Sequence, residues 1–168
     1  MGRVSTKKNK SLFQIRREEL KYSREKASEE IKFLSDDQIE KIENGKITPK
    51  PEDVIAMAKA YRQPSLCNYY CSTQCAIGKR YVPEVKVKDI SSIVLEVLAS
   101  LNSMHKQQEK LIEIASDGMI SQNEIKDFVS IQKKLEDISV AVEALQLWSE
   151  QMIADKKIDI DLYNELSK

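Results

Sequence analysis

The sequence has little of what turns and metal sites need. Of 168 residues only 4 are Gly and 4 are Pro, and aromatic residues make up 6%. A turn-rich sandwich or barrel needs far more of each, so the composition points to helices. A single His leaves no basis for histidine catalysis or a multi-histidine metal centre. No apolar run approaches the ~18 residues that cross a bilayer. No apolar leader segment follows the start, so a soluble, cytoplasmic protein is expected, with no membrane partner. There is no glycine-rich phosphate loop, no nucleophile elbow and no paired set of metal ligands. Neither an enzymatic activity nor a cofactor is expected.

Apolar residues make up 41% of the chain and charged residues 32%, enough for a folded core and too apolar for disorder. The 27 basic and 27 acidic side chains cancel, but they are unevenly spread. Residues 1–62 carry 15 basic and 11 acidic groups, and the remainder 12 and 16. Arg3, Lys7, Lys8 and Lys10 account for the whole excess of the first part, so residues 11–62 are neutral.

Five regions follow. Residues 1–10 form a basic flexible arm, residues 11–65 a cluster of short helices, and residues 66–87 a Cys-containing connector. Residues 88–155 form an antiparallel helical hairpin, and residues 156–168 a tail. The fold class is all-α. In the cluster, Leu12, Ile15, Arg16 and Leu20 suggest a first helix. Ser23 caps a second that buries Ala27 and Ile31. Ser35 caps a third with Ile39 and Ile42 inward, ended by Gly45. A fourth begins near Pro51 and buries Val54, Met57, Ala58 and Tyr61.

In the hairpin, Ile90, Val94, Val97, Leu101, Met104, Gln108, Leu111 and Ala115 alternate by four and three. Phe128, Ile131, Leu135, Ile138, Val142, Leu145, Ser149 and Met152 do the same. Both are heptad-type seams. Asp117-Gly118 makes the turn, and Ser121 with Glu124 forms a capping box. Ile93, Leu98, Ile112, Val129, Val140, Leu147 and Trp148 lie off the seams. Two helices cannot cover them all, so either the head or a second copy of the chain is expected to. A homodimer through the hairpin is the favoured expectation.

Ser23, Ser28, Ile31, Ser35, Ile39, Ile42, Glu43 and Gly45 are spaced as two short helices joined by a tight turn. The second could enter a major groove about 12 Å wide. The segment Ile39-Glu40-Lys41-Ile42-Glu43-Asn44-Gly45-Lys46 resembles the phage-repressor type of helix-turn-helix found in bacterial xenobiotic-response-element-like regulators. The likeness covers about a third of the chain; the whole, with Cys67-Asn68-Tyr69-Tyr70-Cys71, looks like an uncharacterised group of such regulators. The resemblance implies a sequence-specific DNA-binding transcriptional regulator that reads double-stranded DNA with the helix at 35–44. It implies that Ser23 and Arg24 touch phosphate or a base edge. Asp36, Asp37, Gln38 and Lys41 would face bases, and Asn44 and Lys46 would contact the backbone.

The sequence departs from that pattern at the turn. Lys32 stands where the family has glycine, and one additional residue, Phe33 or Leu34, enlarges the turn. Two base-facing positions are acidic, which phosphates oppose. DNA affinity would therefore lean on the arm, including Lys7, Lys8 and Lys10, and on Arg16, Arg17, Lys21, Arg24, Lys41 and Lys46. The arm could enter a minor groove or serve only as a solubilising tail. The alternative is a helix-turn-helix fold retained as an adaptor that binds a protein partner.

Cys67, Cys71 and Cys75 are spaced four and four, so on a helix they share a face. Thiolates so placed could bind zinc or an iron–sulfur cluster, but no fourth ligand is evident. Packing, metal binding and redox sensing all remain open for them.

Overall fold

The computed structural model describes residues 9–116 and 118–166. Among the described residues the helices are, in order, α1 Leu12–Glu19, α2 Arg24–Ile31, α3 Asp36–Glu43, α4 Pro51–Ala60, α5 Ser65–Thr73, α6 Gly78–Tyr81, α7 Ile90–His105, α8 Gln108–Ala115, α9 Ile125–Ala154 and α10 Ile160–Leu166. No strand occurs among the described residues. The chain divides into two compact units, with boundaries after Glu84 and after Ser149.

The first unit holds the head. Its short helices are defined by their caps, because each is too short to persist alone. Ser11, Ser23 and Ser35 accept from the N–H groups of Gln14, Lys26 and Gln38, and so open α1, α2 and α3. Pro51 opens α4 where its missing N–H has no cost. The amphipathic faces then close on one another. Phe13, Ala27, Ile31, Leu34, Ile39, Ile42, Val54, Met57, Tyr61 and Leu66 form one buried core.

Two features of this unit differ from the sequence-based expectation. Helix α1 turns Phe13, Gln14 and Arg17 inward, and leaves Leu12 and Ile15 exposed. An arginine can take a core-facing position there because a carboxylate meets it, as described below. The residues read as a connector also fold into this unit. Leu66 and Tyr70 of α5 join the core, and Phe13 meets the Tyr69 ring edge-on at 5.9 Å. The Asn68 amide donates to the Pro83 carbonyl at 3.0 Å. Helix α6 packs so closely on α5 that a Cβ at Gly78 would strike the Cys71 carbonyl.

The second unit is a hairpin. Ile93 of α7 packs with Ala144 and Leu147 of α9, and Val85 and Trp148 join them. At the other end, Lys110 of α8 pairs with Asp127 of α9 at 2.6 Å. The two contacts fix an antiparallel course. The Ser121 N–H donates to the Glu124 carboxylate at 2.8 Å ahead of α9, as the capping pattern predicts. Asp117, read as part of the turn, lies outside the described residues.

The first arm is not one helix. It breaks at Lys106–Gln107, inside the polar run His105–Lys110, where the expected seam carries Gln108 rather than an apolar side chain. The contact line also departs from the heptad seam. Ile93, Ile131, Ala141, Ala144 and Leu147 are buried, whereas Val94, Leu98, Leu101, Leu135, Val142 and Leu145 are between 38% and 51% exposed. Burial along α9 steps by three from Ala141 to Leu147, which rotates the contact away from a 3.5-residue line. An apolar stripe is thus left open along the hairpin within a single chain. No helix among the described residues is long and apolar enough to cross a membrane.

Candidate nucleic-acid interface

The sequence places Ile39, Ile42 and Glu43 on one stripe of α3, at spacings of three and four. All three are buried. A buried carboxylate requires a cation. Arg17, four residues past Phe13 on the inward face of α1, supplies it. Its Nε and Nη2 reach the two Glu43 oxygens at 2.5 and 2.9 Å, and its Nη1 donates to the Tyr22 carbonyl at 2.7 Å. Burial works against the Arg17 charge, but the hydrogen bond to Glu43 and the charge of Glu43, with smaller effects from Tyr61 and Glu18, together outweigh it and strengthen protonation. Arg24, at the start of α2, adds a third bond to Glu43 at 3.0 Å and one to Glu40 at 3.0 Å. One carboxylate therefore ties α1, α2 and α3 together.

That lock presents the opposite side of α3 to solvent. Asp36, Asp37 and Gln38 are exposed, and Glu40, Lys41 and Asn44 are half-buried. The acids have a local explanation, since they sit in the first turn where the helix dipole favours negative charge. Gln38 closes a capping box: the Ser35 N–H donates to its Oε1 at 3.0 Å, and the Gln38 N–H donates to Ser35 Oγ at 3.2 Å. Lys41 pairs with Asp37 at 2.6 Å. Gly45 adopts a φ of +67° and turns the chain so that the exposed Lys46 follows the helix directly.

Several cations expected to favour phosphate are engaged within the head. Arg17 is buried. Arg24 is shared between Glu43 and Glu40. Arg16 donates to the Tyr61 carbonyl at 3.0 Å, at the end of α4, and Lys10 pairs with Glu18 at 2.6 Å. Ser23 uses its hydroxyl to cap α2. Lys7 and Lys8 lie outside the described residues. Lys21, Lys32 and Lys46 are exposed and carry no ion pair among the described residues.

The turn between α2 and α3 departs from the family pattern in a definite way. Lys32 takes the positive φ, at +73°, that a glycine would otherwise supply. Ser28 Oγ donates to the Leu34 carbonyl at 2.7 Å, Leu34 is buried, and Phe33 is 58% exposed.

The three cysteines lie along α5 and just past it. They form no disulfide and are half-buried and packed against the head core. Burial pushes the Cys67 thiol up, with smaller effects from Cys71 and Glu150. Cys75 Sγ accepts from the Gly78 N–H at 3.4 Å. Among the described residues, no group of three or more His, Cys, Asp or Glu is placed to hold a metal ion.

The sequence reading missed the structural role of Arg17 and the buried Tyr61 hydroxyl. The first was detectable: an acid on the apolar stripe of α3 demands a partner, and an arginine four residues past Phe13 is the nearest cation on an inward face.

Residues 13–65 fit the family model for helix-turn-helix domains. No curated protein and no solved structure matches the chain. The head, with α2 and α3 joined by the Lys32 turn, is a helix-turn-helix domain of the kind that serves DNA-binding regulators.

Proposed function

We infer that the chain is a sequence-specific DNA-binding regulator of transcription that acts as a dimer, with α3 entering the major groove. The observation that carries this reading is the placement of α3. Its inner side is locked to α1 and α2 through Glu43, and its outer side stands open with free lysines near both ends. A rigidly held helix can offer side chains to base edges while flanking cations meet phosphate. Lys21, Lys32 and Lys46 are the groups that neutralise phosphate. Arg24 contributes only by giving up its contacts with Glu40 and Glu43.

The open stripe of Val94, Leu98, Leu101, Leu135, Val142 and Leu145 supports self-association. Two hairpins joined along it make a four-helix bundle, in which each copy covers the other's apolar face. Two heads spaced one helical turn apart, about 34 Å, then select a palindromic site.

A second reading is favoured by the acids at the leading end of α3. Asp36, Asp37 and Glu40 oppose phosphate and suit a basic protein partner, which would make the head an adaptor. Binding-site selection with the purified chain, followed by a salt titration, separates the two. The regulator yields an inverted-repeat site whose affinity falls with salt at a log–log slope of about −5, for three phosphate contacts in each of two heads. A chain that retains no duplex at low salt sinks the regulator reading and leaves the adaptor.

A further inference from the structure

The helix-turn-helix turn holds a large apolar side chain out in solvent, on a backbone fixed on both sides. Before it, Lys32 carries a φ of +73°, a conformation that disfavours a side-chain-bearing residue. After it, Leu34 is 3% exposed and its carbonyl accepts from Ser28 Oγ at 2.7 Å. Phe33 between them is 58% exposed. The ring thus stands on a strained, anchored turn two residues ahead of Ser35, the N-cap of α3. In a helix that enters a groove, this leading end is the part that contacts base edges.

The other exposed side chains there are polar: Asp36, Asp37 and Gln38, of which Gln38 is held in the capping box. The group in a major groove that suits a phenyl ring is the thymine C5-methyl, the one apolar feature of the base-pair edges. We propose that Phe33 is a specificity-determining residue that reads a thymine methyl at the edge of each half-site. This rests on the DNA-binding reading above and goes further, by assigning base preference to an exposed residue of the turn.

The test uses the full chain and synthetic duplexes carrying its selected site. Each thymine is replaced singly by deoxyuridine, which lacks only the C5-methyl. The expected result is that one thymine position per half-site loses about fourfold in affinity on replacement, the worth of one buried methyl-sized group. Phe33→Ala should bind the thymine and deoxyuridine duplexes equally at that position, and Phe33→Leu should keep part of the difference. Because the ring is exposed, both variants should retain the helical circular dichroism of the parent. Methyl sensitivity that is absent everywhere, or unchanged in Phe33→Ala, overturns the assignment while the selected site leaves DNA binding intact. A parent chain that selects no duplex overturns both.

Discussion

Arg17 and Glu43 form a two-point ion pair inside the head, with the Glu43 side chain fully shielded from solvent. The pair joins α1 to α3, and Arg24 extends it to α2. Removing one partner of such a pair costs more than the pair itself contributes, because the other charge stays buried. Glu43→Gln is therefore expected to destabilise the head by about 3 kcal/mol or more. Thermal melting followed by circular dichroism should show a drop of more than about 10 °C for a unit of this size. An unchanged midpoint would contradict the buried geometry.

The Tyr61 hydroxyl is buried with no hydrogen-bond partner among the described residues. Burial, with the Glu43 charge nearby, pushes its phenol above the ordinary value, so it remains neutral at any physiological pH. Tyr61→Phe removes an unsatisfied polar atom and keeps the ring. Stability should be unchanged or rise by about 1 kcal/mol, read as a shift in the urea midpoint without a change in slope.

Gly45 and Gly78 make opposite demands. A Cβ at Gly45 meets open space, but its φ of +67° disfavours one. A Cβ at Gly78 runs into the backbone of Cys71. Gly45→Ala should cost about 1 kcal/mol. Gly78→Ala should cost more, because α6 must lift from α5, and it should speed alkylation of Cys75, whose sulfur accepts from the Gly78 N–H.

The open stripe of the hairpin allows its folding to be tested apart from the proposed self-association. Ile131 is 1% exposed, whereas Leu101 and Leu135 are 51% and 46% exposed. Ile131→Asp should reduce helical circular dichroism by burying an unpaired charge. Leu101→Asp with Leu135→Asp should leave helicity intact and turn the proposed dimer into a monomer in sedimentation velocity. A dimer that survives the double change would place its interface elsewhere.

Acid pH should loosen the head in a way that reports on Glu18. Burial works against its charge, but hydrogen bonds from Lys10 and Gln14 outweigh it and hold the carboxyl below its ordinary 4.5. The unfolded chain therefore binds a proton more readily, and the stabilisation is present above that ordinary value. It is lost as pH falls through the lower folded-state value. Urea midpoints between about pH 6 and pH 3 should fall less steeply for Glu18→Gln than for the parent.

Much of the head was legible because short helices announce themselves by caps. Ser23, Ser35, Gly45 and Pro51 each mark a helix end where the structure has one. Helix α1 was misaligned because Leu12-Ile15 and Phe13-Arg17 both satisfy a helical spacing; only the distant Glu43 decides between them. Residues 66–87 read as a connector because their Pro, Gly and Cys are ambiguous locally, and burial of Leu66 and Tyr70 depends on partners far away in sequence. The hairpin was legible as two apolar arms, but a heptad line describes equally well the side that is buried and the side that is open. At the candidate site the positions were readable and the occupancy was not. Spacing shows that Arg24 and Lys41 lie near the outer face, but not that Glu40, Glu43 and Asp37 already engage them.

The interruption at Lys106–Gln107 has its own thermodynamic signature. Helix α8 opens at Gln107 without a side-chain cap, so its first amide protons have no internal acceptor from that side. They will trade for deuterium well ahead of those in the uninterrupted middle of α9. The first arm is two short rods, α7 and α8, in series, and in solution it should breathe at their joint while α9 stays closed.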